Sequence, residues 1–401
     1  MTCRERVLIA LDHREPDKVP VDFAATRASG INAIAYNNLL GHLNLKLENF
    51  VYDFKQLLSD VDDRVRKFMG GDVIQLHRLA PSLGVKLNSG VKRITLPDGS
   101  EALVSEMLNY QKEPSGNDVI FSPLGEVLFR RPKDGLYFDD VYHPLAEVES
   151  NDDIDRGFKP PTILPEELDF LKVNGKKLFE ETSYAVLGST SIGIFQQGIK
   201  DFGFAGYLMS DPDLVGYYLE KLTGAYIAIL DQYLDAVGDN IQIIHLADDY
   251  GTQNSTLISQ KTFQTIFKPW HTKINSFIKS KKPRLKIMLH CCGAIAPLIP
   301  DFIEAGFDIL NPIQLSAAGM DPRMLKREYG KSITFWGGGC SSQTTLTFKS
   351  PAEVRQETEE MIGILAPGGG YVFCQDHNIQ SNVSPENIIA LYDAVKHVNG
   401  S

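Results

Sequence analysis

No stretch of this chain is apolar for long enough to span a bilayer, and no block of lysine or arginine interrupts its mixed charge. Acids outnumber bases 51 to 40, a net charge of −11. That deficit argues against nucleic acid or an anionic membrane as the main partner. Cysteine is scarce: five residues (Cys3, Cys291, Cys292, Cys340 and Cys374), an odd count with one adjacent pair. Such a set excludes a disulfide framework and fits a reducing compartment with thiols free for metal. The opening residues Met1–Arg6 contain no apolar signal core, so the expectation is a soluble, cytoplasmic protein. Neither Gly337–Gly339 nor Gly368–Gly370 matches a phosphate-binding loop, and tight turns are the expected use of both. Tryptophan occurs twice; Trp336 is expected either in the core or lining a pocket for a flat ligand.

What the chain does have is regular alternation. Short β-forming runs recur near residues 19, 72, 184, 242, 286, 309, 333 and 371, and most are followed by a helical pattern. Thr2 is expected to cap a first helix to Leu11, Ser210-Asp-Pro-Asp213 to open a long helix, and Ser350-Pro-Ala-Glu353 to form a capping box. Residues 25–68 read as largely helical, with a break at 41–48, and 151–165 as a connecting segment. Eight strand–helix units imply parallel strands with right-handed crossovers, closed as a (β/α)8 barrel of the α/β class. The whole chain, 1–401, is expected to form one such domain. Residues 80–147 differ: short β-runs separated by Pro-Asp-Gly-Ser and Pro-Ser-Gly-Asn turns predict a β-rich insertion within it.

The chemistry gathers where strands stop. Lys286-Ile-Met-Leu-His290-Cys-Cys-Gly293 carries an imidazole and thiols at a strand exit, the position at which a barrel presents its reactive groups. His290 and Cys292 lie two apart and point the same way, a pair of ligands suited to zinc. A catalytic site needs a third ligand, and His377 after the last strand is the candidate, with Cys374 its competitor. Asp248 and Asp249 follow the strand near 242. Paired acids there serve acid–base work, hold a cation, orient a metal ligand or cap the next segment.

These pieces, in order, resemble the uroporphyrinogen decarboxylase superfamily, and within it the zinc- and corrinoid-dependent methyltransferase branch. The likeness begins at Arg14-Glu-Pro-Asp-Lys-Val-Pro20 and returns at Asp248-Asp-Tyr-Gly-Thr-Gln253, His290-Cys-Cys-Gly293 and Ile309-Leu-Asn-Pro-Ile-Gln314. It continues through Gly338-Gly-Cys-Ser-Ser-Gln343 and His377-Asn-Ile-Gln380. The resemblance implies a barrel with its site at the mouth and zinc on His290, Cys292 and a ligand near the last strand. It further implies a corrinoid carried by a separate partner protein. The decarboxylases carry Met-Arg-Gln-Ala-Gly-Arg after the first strand. Here Asp22-Phe-Ala-Ala-Thr-Arg27-Ala lacks most of that charge, which argues against porphyrinogen decarboxylation. The expected activity is transfer of a methyl group between a small molecule and the corrinoid, with O-demethylation of a methoxylated aromatic favoured. The alternatives are a methylcorrinoid:thiol or pterin methyltransferase and a metal-free decarboxylase. On this reading Asp248 or Asp249 handles the proton or orients a ligand, and Asn311, Gln314 and Gln343 hold the substrate.

Overall fold

The computed structural model of the protein describes residues 1–400. Seven strands form one parallel sheet: Val73–Leu76, Ala185–Ser189, Ile243–Ala247, Lys286–His290, Ile309–Asn311, Thr334–Trp336 and Tyr371–Val372, adjacent in that order. The eighth position is a single residue pair. Val21 bridges Phe373 in parallel, Phe373 N donates to Pro20 O (2.8 Å), and Asp72 N donates to Val21 O (2.7 Å). The segment Pro20–Asp22 thus joins the last strand to the first and closes a (β/α)8 barrel. Pro20 has no N–H to offer a ladder, which suits the shortest member of the ring.

Pleating sorts the strand residues by parity. One parity fills the barrel interior in layers: Val73, Leu187, Ile243, Met288 and Ile309 are fully buried together. The next interior level toward the carboxyl ends is polar: Gln75, Ser189, His245, His290 and Asn311. The other parity packs on the helices. The cappers act as expected, with reciprocal boxes at Thr2/Glu5 and Ser350/Glu353 and Asp211 capping Pro212–Val237.

Two expectations need correction. Residues 25–68 are not mainly helical: after the helix Ala33–His42 the chain forms an antiparallel pair, Phe50–Asp53 with Leu58–Asp60. Phe50-Val51-Tyr52 is a β-forming run, and it finds an edge to pair with only when Glu101–Ser105 arrives beside it. The segment 151–165 is not simply a connector either. Ser150 caps a short helix, Asn151–Gly157, and a longer one, Pro165–Glu181, follows. Between residues 91 and 140 the chain builds six strands, in two sheets. Trp336 belongs to the core: its indole N–H donates to the buried carboxylate of Asp22 (2.8 Å).

Candidate metal centre at the barrel mouth

His290 is the last residue of its strand, and the loop that follows turns back at Gly293. Gly293 has φ +94, and a Cβ there would lie 2.6 Å from the Thr252 carbonyl oxygen, so only glycine lets these two loops touch. Gln314 Oε1 accepts from Gly293 N (2.8 Å), and Gln314 Nε2 donates to Gln253 Oε1 (3.0 Å). Asp249 Oδ1 accepts from Cys292 N (2.9 Å), while Gln196 donates to Asp249 Oδ2 (2.5 Å). The loop is therefore laced to both of its neighbours.

This lacing brings three donor atoms together. An imidazole nitrogen of His290, the thiol of Cys292 and a carboxylate oxygen of Asp249 all lie within 4.8 Å of one another. The tautomer of His290 is fixed by its surroundings. Asn311 Nδ2 donates to the Trp336 carbonyl (3.1 Å), an atom that can only accept, so Asn311 must turn its oxygen to His290 Nδ1 (2.9 Å). Nδ1 carries the proton and donates; Nε2 faces Asp249 (3.6 Å). Burial pushes the Cys292 thiol well above its ordinary range, and the Asp249 charge pushes it further. The thiol hydrogen-bonds the Asp249 carboxylate, and a cation that displaced the thiol proton would be held by imidazole, sulfur and carboxylate together. The donor set of one N, one S and one O, with a side left open, suits a divalent ion of zinc's softness.

His377 stands next to this cluster, outside the 4.8 Å group. Its ring centroid is 6.1 Å from that of His290, and its Nδ1 is hydrogen-bonded to Asn378 (2.8 Å). Burial, and then His290, hold its imidazole below the usual histidine range. Cys374 is turned into the barrel interior among Trp336, Val372 and Met288. Cys291 is fully buried, and its sulfur accepts from Tyr250 N (3.3 Å). Asp248 points away from the cluster. Its carboxylate accepts from the backbone N–H of Ile194 (2.8 Å), Phe195 (2.9 Å) and Gln196 (2.8 Å), at the start of the helix Ile194–Phe202, and from the Tyr250 hydroxyl (3.2 Å). It caps, as one of its alternatives required, but the helix it caps precedes it in the chain. Gln343 is exposed and accepts from the Ser316 hydroxyl (2.7 Å).

Two residues went unnoticed in the sequence. Gln196 anchors Asp249 from a different helix, and nothing local marks it. His245 interrupts an apolar strand at the same parity as Asp249; its ring lies 6.2 Å from that of His290. The parity was a usable signal.

Comparison with known proteins places this arrangement. A uroporphyrinogen decarboxylase of Chloroherpeton thalassium is 23% identical over 207 residues, 51% of this chain and 54% of that protein. One of Magnetococcus marinus is 24% identical over 202 residues, 49% and 52%. The chain spans about half the length of the curated relatives it matches. Among solved structures, a methyltransferase from Methanosarcina mazei superposes over 99% of both chains with a TM-score of 0.58 at 19% identity, which shows a shared fold. The family model described as uroporphyrinogen decarboxylase (URO-D) matches residues 197–398, just over half of the chain and all of the loops that carry Asp249, His290, Cys292 and His377; the protein belongs to that family.

Proposed function

We propose that the protein is a zinc-dependent methyltransferase that moves a methyl group between a small molecule, favoured to be a methoxylated aromatic, and a corrinoid held by a separate protein. The observation that carries this reading is the convergence of Asp249, His290 and Cys292 at the barrel mouth. The shortage of arginine after Pro20, where Arg27 stands alone, and the full-length fold match to a methyltransferase support it. His290 and Cys292 hold the ion, and Asp249 is the better placed third ligand, with His377 beside it. Zinc there supplies Lewis acidity to an ether oxygen or a thiol sulfur of the substrate.

The chain's own residues do the positioning. Asn311 keeps His290 in the Nδ1–H form with Nε2 presented to the cluster. Gln314 and Gln253 hold the Gly293 turn, so the Cys292 sulfur stays in place. Gln196 restrains the Asp249 carboxylate, which is oriented to receive or return a proton when the cluster's thiol or a substrate thiol ionises. On this reading the chain is one barrel domain, with residues 80–147 as an insertion that forms a lid or the seat of the corrinoid protein.

Metal content of purified protein, with Cys292→Ser, Asp249→Asn and His377→Ala beside wild type, tests the assignment. Zinc near one equivalent in wild type, lost in Cys292→Ser and sharply reduced in Asp249→Asn, is the expected result. Retention of zinc in Cys292→Ser would move the metal elsewhere, and wild type purified without zinc would favour the family's decarboxylase chemistry.

A further inference from the structure

A cavity of about 290 Å³ opens beside the candidate metal centre, between the barrel mouth and the β-rich segment. Its inner wall is the polar level of the barrel: Gln75, Ser189 and His245. Its outer wall includes Lys200 from the helix Ile194–Phe202 and Phe129 and Asp140 from the β-rich segment. Three side chains that line it carry enclosed polar atoms with no partner: Gln75 Oε1, Tyr52 Oη and His245 Nε2. Those residues are 8%, 4% and 8% exposed. Buried polar atoms are ordinarily satisfied, so three orphans around one cavity mark a place built for a ligand.

The basic groups of the lining are not all paired. Arg27 pairs with Asp53 (2.5 Å), Lys55 with Asp140 (2.5 Å), and Arg78 with Glu167 (2.7 Å). The Lys200 ammonium makes no hydrogen bond or ion pair among the described residues; Asp140 and Asp201 act on it only through space, so it is the one lysine or arginine of the lining without a direct partner. Resting on the methyl-transfer reading, which places a small molecule at the neighbouring cluster, we propose that this cavity selects a single-ring organic acid. Its carboxylate meets Lys200, its ring lies by Tyr52 and Phe129, a hydroxyl substituent donates to Gln75 Oε1, and an ether oxygen accepts from Tyr52 or His245. One unpaired ammonium matches one carboxylate; a phosphate dianion would leave charge unmet. The orphan set of amide oxygen, phenol and imidazole suits a neutral hydroxyl at the inner end, which can donate to the amide oxygen, not a second anion. The volume is near the lower end of small-molecule sites, the size of a substituted ring.

Calorimetric titration of the zinc-loaded full chain with ortho, meta and para methoxybenzoates, each against its neutral methoxybenzamide, tests this. At least one acid should bind about tenfold or more tightly than its amide. Lys200→Met should abolish that preference without changing amide binding or zinc content, and Lys200→Arg should restore most of it. Equal binding of acid and amide, no binding of any acid at millimolar concentration, an unaltered preference in Lys200→Met, or displacement by inorganic phosphate as readily as by the acids would overturn the proposal. Cys292→Ser separates it from the reading on which it rests. That variant should lose zinc and still prefer the acid; loss of methyl transfer alone touches only the reading, whereas loss of the preference touches only the cavity.

Discussion

The smallest decisive unit here is the contact between Asn311 and His290. It uses both ends of one fully buried amide, which gives Asn311 a positioning role toward His290. Asn311→Ala should release the His290 ring and strand the Trp336 carbonyl. The expected outcome is zinc affinity about tenfold or more weaker, read by competition with a chelator. Stability should fall by about 1–3 kcal/mol, read by urea titration. The third ligand is also a residue-scale question. Asp249 lies inside the donor cluster and His377 does not, so Asp249→Asn should weaken zinc binding more than His377→Ala does. The same competition assay ranks the two.

Among the elements, the helix Ile194–Phe202 depends on Asp248. Its N-cap is Gly193, which offers no side chain, and a Cβ there would lie 2.0 Å from the Ala247 carbonyl oxygen. A carboxylate from the neighbouring strand end takes over the exposed N–H groups. Asp248→Ala should therefore cost about 2 kcal/mol or more of stability while zinc content stays near that of wild type, an outcome a metal-holding Asp248 would not give. A second element-scale test concerns Lys326, on the helix Pro322–Tyr329, which donates to the Gly369 carbonyl (2.7 Å). Burial lowers its ammonium to about 8. Between that value and the unfolded value of about 10.4 the unfolded chain holds more protons, so stability rises with pH across this window and the cost is fully present below it. Lys326→Met should stabilise the protein by about 1–2 kcal/mol near neutrality, the lost hydrogen bond offsetting part of the gain. The advantage should shrink as the pH rises through the window, in denaturation midpoints measured on both proteins.

The whole molecule depends on how its ring is closed. One residue pair does the work of a strand, and Asp72 reinforces it: Oδ2 accepts from Val21 N (2.9 Å), Oδ1 pairs with Arg6 (2.5 Å), and its own N–H reaches Val21 O. Asp72→Ala removes a buried charge that ties the amino-terminal segment to the first full strand. A loss on the order of 3 kcal/mol is expected, seen as a lower urea midpoint with unchanged slope.

Much of this was legible in the chain. Short β-forming runs alternating with helical patterns announced eight units, because each strand must bury two faces and each helix one. His290 and Cys292 were legible as partners because two residues apart on a pleated strand share a side. What depends on atoms distant in sequence was not. The run Phe50–Asp53 became a strand only beside Glu101–Ser105. Asp248 and Asp249 are adjacent and alike in type, yet one faces a helix end and the other the donor cluster, since neighbours at a strand end point to opposite faces. The orphan atoms of Tyr52, Gln75 and His245 share a cavity because barrel closure brings separate strands to one mouth. Periodicity and residue type, which are local, determined the fold and the candidate ligands; direction and company, which are not, were decided by the tertiary structure alone.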